Sequence, residues 1–183
     1  ARKKRTNSII KEVACTSPDK IGELTLYIPL ENSGGEVTGH ASVEINADEH
    51  KYKQHNKVNV RATTLTNILD ESHIEEIDLL SIDVEGTEID VLLGLDLKKY
   101  RPKLILLEDK HLYLKKHLFL KKQGYSLARR FNRNCWYILE GEPIPTTSII
   151  SKIKLLKRLY LSIWLKKLAY SIRHRTLKPL KTF

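Results

Sequence analysis

The sequence predicts an α/β domain whose sheet is largely parallel and is closed by an antiparallel hairpin. Three observations carry that expectation. Short apolar runs of strand length, 77–82 (IDLLSI) and 103–107 (KLILL), alternate with helix-like stretches at 86–93 and 111–123. Both runs lead into acids, Asp83 after the first and Glu108 with Asp109 after the second, and open α/β sheets hold their ligand chemistry at the carboxyl ends of such strands. The composition, 41% hydrophobic and 30% charged over 183 residues, is that of a globular chain long enough for one core.

The elements follow in order. Residues 8–15 (SIIKEVAC) read as a strand, and 16–22 (TSPDKIG) as a turn. Residues 23–28 (ELTLYI) alternate as a half-exposed strand, closed by Pro29. Residues 30–57 form a long polar excursion with Gly34, Gly35 and Gly39, a length more often functional than filler. Residues 57–62 (KVNVRA) alternate again and can pair with 23–28. Thr64 or Thr66 can cap a short helix through Leu69. After the 77–82 strand, a helix from Gly86 to Leu93 is expected to end at Gly94 in a left-handed cap. Pro102 opens the next strand. The helix over 111–123 offers Leu112, Leu114, Leu118, Phe119 and Leu120 for burial, and Gly124 ends it. Residues 125–130 and 135–139 flank the turn FNRN as a hairpin. Residues 1–146 are read as the domain and 147–183 as a basic helical tail.

Charge is partitioned. Of the 32 Lys+Arg, ten lie in 149–183, whereas none of the 22 Asp+Glu does, so the formal net charge of +10 sits in the tail. No apolar run reaches the length of about 18 residues that spans a bilayer. Cys15 and Cys135 form neither a metal-type cluster nor a disulfide framework, and a reducing, cytoplasmic setting is expected, with the tail peripheral at a membrane. The chain begins at Ala1 and contains no Met, so further sequence is expected upstream.

Four segments, in order across about residues 10–139, resemble the FkbM family of S-adenosylmethionine-dependent O-methyltransferases. They are VACTSPDKIGELTLYIP, TTLTNILDE, IDLLSIDVEGTEIDVLLGL, and RPKLILLEDKH with the later GYSL. The resemblance implies a Rossmann-like class I methyltransferase sheet, S-adenosylmethionine as methyl donor, and a hydroxyl of a saccharide, glycan intermediate or natural product as acceptor. It makes 8–15 the third strand of that sheet and 77–82 the fourth. The family's glycine-rich cofactor turn and ribose-binding acid would lie upstream of Ala1. The domain is thus expected to be truncated, to bind the cofactor poorly alone, and to leave its fourth strand with an open edge.

Methyl transfer to a hydroxyl requires alignment of donor and acceptor and removal of the hydroxyl proton. Asp83 can act as base or orienter of the acceptor; its other reading is a cap for the following helix. The resemblance favours the site role. Glu85 shapes the site, whereas Glu88 reads as an ordinary acid favoured at a helix start. Adjacent parallel strands end roughly 5 Å apart, so Asp83 and Glu108 can face one cleft. His111 can be a general base oriented by a carboxylate, or a solvent-facing first-turn residue. A divalent metal on Asp83, Glu108 or Asp109 is conceivable but no metal is expected. In related sheets the third strand meets the adenine ring, which places Ala14 and Cys15 there through backbone and apolar contact. His40 and Ser42 could line an acceptor pocket, with a solvated loop as the plainer reading.

In the tail, Ile149, Ile153, Leu156, Tyr160 and Ile163 recur at helical spacing among lysines and arginines. Such a helix can lie on an anionic membrane, dock on a protein, or bind nucleic acid; the interleaved Leu, Ile, Trp and Tyr disfavour a purely nucleic-acid arm. The plainer version is a helix packed on its own domain. The competing whole-chain reading is a non-catalytic scaffold whose tail binds an anionic surface or a partner protein.

Overall fold

The computed structural model describes residues 8–31, 35–36, 41–43, 54–109, 114–143 and 148–162. Expectations for Gly34, Gly39, His40, Leu112, His111 and Ile163 lie outside the described residues. Two compact units emerge, Ala1–Ile77 with Asp83–Tyr100, and Asp78–Ile82 with Arg101–Phe183. The fold is mixed α/β, with one small sheet in each unit.

In the first unit, β1 (Ala14–Cys15), β2 (Gly22–Leu30) and β3 (Gln54–Thr63) form a sheet in the order β1-β3-β2. β2 and β3 pair antiparallel from Gly22 opposite Ala62 to Leu30 opposite Gln54, as their matching alternation foretells. Across that ladder the Thr25 hydroxyl donates to Asn59 Oδ1 at 2.9 Å. The strand expected over 8–15 contracts to Ala14 and Cys15, which run parallel to Ala62 and Thr63. Lys11 and Glu12 interrupt its apolar pattern, and Lys11 instead reaches Glu71 at 3.8 Å.

Thr64, not Thr66, caps α1 (Leu65–Glu71), accepting from the Asn67 N–H at 3.1 Å. Thr66 ties α1 to the end of α2 (Glu88–Leu93): its hydroxyl donates to the Gly94 carbonyl at 2.9 Å and accepts from the Asp96 N–H at 2.7 Å. Gly94 is not left-handed. It has φ −80° and ψ −2°, and a Cβ there would overlap the Thr16 carbonyl oxygen. Close approach of two backbones, not handedness, demands glycine here. Val91, Leu92, Leu95, Leu97 and Tyr100 supply the buried apolar side of this unit.

In the second unit, β4 (Leu79–Ile82), β5 (Leu104–Glu108), β6 (Tyr125–Phe131) and β7 (Asn134–Leu139) form a sheet in the order β4-β5-β7-β6. β4 and β5 are parallel; β7 lies antiparallel to both β5 and β6. The hairpin turns at Asn132, whose φ of 54° suits asparagine. β4 is an outer strand of this sheet among the described residues, and the expectation of a largely parallel sheet is not met. β1–β3 and β4–β5 are parallel, whereas β2–β3, β5–β7 and β6–β7 are antiparallel. Return of the chain after the 31–53 excursion and through the hairpin accounts for all three antiparallel pairings.

α3 (Leu114–Lys122) buries Lys116, His117 and Leu120. Leu118, counted among its core residues, is exposed, because 116, 117 and 120 share the opposite face. Gly124 ends this helix at φ 83°. Ile105, Leu107, Leu120, Tyr125, Cys135 and Tyr137 are fully buried. α4 (Ile149–Leu156), capped by Ser148, continues into a π-helical turn, Lys157–Ser162. No described helix is long and apolar enough to cross a membrane.

Candidate active site

β4 ends at Ile82 and β5 runs beside it, with Ile82 opposite Leu107. Each strand therefore delivers an acid at its carboxyl end, Asp83 one residue past β4 and Glu108 as the last residue of β5. Asp83 is exposed and Glu85 half-buried. Asp83 does not cap the next helix: α2 begins at Glu88, with Thr87 in the cap position. The carboxylate is thus left to face solvent at the strand's end.

The chain between β4 and α2 turns through two consecutive left-handed residues, Glu85 at φ 51° and Gly86 at φ 115°. Glycine takes that conformation freely, whereas for a glutamate it carries strain that the surroundings must hold. Glu88 supplies the hold. It is buried, and its Oε1 accepts from the Gly86 N–H at 2.9 Å. The Thr87 hydroxyl adds a long bond to the Val84 carbonyl at 3.4 Å. Glu88, read from sequence as an unremarkable first-turn acid, is the clamp of this turn. The one sequence signal that could have found it was its spacing of two residues from a glycine.

Glu108 lies largely buried, with Arg133 Nη1 at 3.9 Å from its Oε1. Asp109 is buried against Lys116, 3.9 Å away, and its backbone N–H donates to the Arg133 carbonyl at 2.8 Å. An acid so committed is poorly placed as an open metal ligand. Ala14 and Cys15 are half-buried at the end of β1, where the Thr16 N–H donates to the Thr63 carbonyl at 3.0 Å. Ser42 is buried and exchanges two backbone hydrogen bonds with Tyr27, so it serves the sheet edge rather than an open pocket.

A family model, the methyltransferase FkbM domain, matches residues 1–127. The chain belongs to the FkbM methyltransferase family. No curated protein and no solved structure matches it. The match covers β1 through the start of β6, and so includes both acid-tipped strands of this FkbM chain.

Neither cysteine of the FkbM chain is suited to nucleophilic work. Burial pushes the Cys15 thiol up, and it pushes Cys135 up to about 11, away from the reactive thiolate. Sequence reasoning also passed over His117, which is buried on α3 with Nε2 3.1 Å from the Tyr160 hydroxyl. Burial, with the nearby Lys121, lowers its pKa below the usual 6.5. Its partner lies 43 residues away, so no local pattern announces the pair.

Proposed function

We propose that this chain carries the acceptor side of methyl transfer from S-adenosylmethionine to a hydroxyl of a saccharide, glycan intermediate or natural product. Membership in the FkbM family supports methyl transfer in general. The observation that supports a role for Asp83 is its position: exposed, one residue beyond β4, and not used to cap the helix that follows.

S-adenosylmethionine, when bound, supplies an electrophilic methyl group. The described residues fit one end of that molecule. Small Ala14 and half-buried Cys15 at the tip of β1 suit a flat adenine ring through backbone and apolar contact. Among the described residues, no glycine-rich turn links a strand to a helix in the way the methionine end requires. Asp83 accepts the acceptor's hydroxyl proton or holds the hydroxyl in line, Glu88 and Gly86 fix the turn beside it, and Glu108 shapes the neighbouring strand end. His111 remains a candidate base on the segment after β5.

Calorimetry with S-adenosylmethionine, followed by a methylation assay on hydroxylated acceptors, tests this reading. Asp83→Asn should leave cofactor affinity and thermal midpoint near the parent's and lower turnover about 10²–10⁴-fold. An unchanged rate would remove Asp83 from the chemistry. Absence of cofactor binding by the whole protein would favour the scaffold reading.

A further inference from the structure

The helix that follows the hairpin carries more apolar surface than the fold buries. Leu159 is fully buried; with Leu155 it faces Tyr125, Leu127 and Ala128 across a cavity of about 320 Å³. Away from it, Ile149, Ile150, Ile153 and Leu161 remain 47–76% exposed, and Leu156 and Tyr160, at the cavity's edge, are still 52% and 40% exposed. Single exposed aliphatics are ordinary on a protein surface, but six within residues 149–161 concentrate apolar surface of the kind that marks an interaction site. Lys152, Lys154 and Lys157 are exposed on the same stretch. Residues 149–183 add up to ten Lys+Arg without one acid.

We infer that this helix docks in the plane of an anionic lipid bilayer surface. The exposed isoleucines and leucines enter the boundary between headgroups and acyl chains, and the lysine stems lie along the surface with their ammonium groups on lipid phosphates. Each Lys or Arg near an anionic surface raises partitioning about fivefold, so an all-basic segment complements such a surface at every position. Contacts to a nucleic-acid backbone would use the same charges but give no reason for six exposed apolar side chains.

Co-sedimentation of the full chain with vesicles tests the inference independently of any methyl transfer. Vesicles of phosphatidylcholine mixed with phosphatidylserine should carry the protein down, phosphatidylcholine alone should carry little, and added salt should release it. Ile149→Glu with Ile153→Glu alters only exposed positions; it should keep the thermal midpoint and reduce partitioning at least about tenfold. Lys154→Gln with Lys157→Gln should reduce it about fivefold per residue on anionic vesicles only. Equal binding to both vesicle types, undiminished binding of the isoleucine double variant, or no sedimentation with either would overturn the inference. So would a self-associated chain that the same double variant converts to monomer without vesicle binding.

Discussion

A methyl group at position 94 would collide with the Thr16 carbonyl oxygen, although the backbone there, at φ −80°, accepts any L-residue. The two possible reasons for this glycine thus give opposite predictions. Were it only a helix stop, Gly94→Ala would be neutral or slightly stabilising, by about 0.4–1 kcal/mol. Because backbone meets backbone, we expect a loss of about 1–3 kcal/mol in urea unfolding. Glu88 offers a second contrast. Glu88→Ala removes the acceptor of the Gly86 N–H and should cost about 1–3 kcal/mol, whereas Glu88→Gln keeps an acceptor oxygen and should retain most of that. Equal losses in the two variants would mean that the buried carboxylate holds the turn by some other contact. Asp83 was legible as a strand-end acid because the apolar run before it is unambiguous. Its freedom from capping was not, because that depends on where Glu85 and Gly86 turn left-handed.

The pairings expected from the sequence are present: β2 with β3, and β6 with β7, the latter with a register shift between Leu127 and Arg129. Helices were placed in the right segments, though α2 begins at Glu88 rather than Gly86, and not always with the right face. Spacing shows that Ile149, Ile153, Leu156 and Tyr160 share a face of α4 and its π-helical extension, but not that Ile149 and Ile153 stay exposed while Tyr160 reaches His117 and Leu159 packs inward. On α3 the same limit hid Lys116 and His117, two polar side chains turned inward. His117 bridges α3 to the C-terminal turn through Tyr160 and stacks edge-on against its ring at 5.8 Å. Its environment gives this junction a pH dependence. The folded pKa lies below 6.5, so the unfolded chain binds the proton first as pH falls. The stability that His117 contributes is therefore complete above about pH 6.5 and declines as pH drops through the folded value. Thermal midpoints measured from pH 8 to pH 5 should fall less for His117→Gln than for the parent. Parallel curves would mean that carboxylates alone set the acid limb.

At the scale of the whole molecule, the basic tail also takes part in the core of the second unit. Its described part, 148–162, supplies Leu159 to a core that also contains Cys135, Tyr137, Leu120 and Tyr125. Residues 163–183 carry six of the ten tail bases. Two truncations should therefore behave differently. A chain ending at 162 keeps Leu159 and its packing and should retain more of the parent's thermal midpoint than a chain ending at 148. A chain ending at 148 loses a fully buried leucine and leaves its pocket open, which costs about 2–5 kcal/mol by analogy with large-to-small core changes. Cysteine labelling can report on each unit, since Cys15 belongs to the first and Cys135 to the second. Cys135 is fully buried and reacts only when its unit opens, so a loss of 2 kcal/mol should raise its labelling rate about thirtyfold. Cys15, half-buried beside β3, should keep its rate in both truncations. A Cys15 rate that rises in step with that of Cys135 would show the two cores melting as one. A Cys135 rate unchanged by removal of 149–183 would mean that the C-terminal helix stabilises nothing beneath it, and the burial of Leu159 would then carry no weight in the fold.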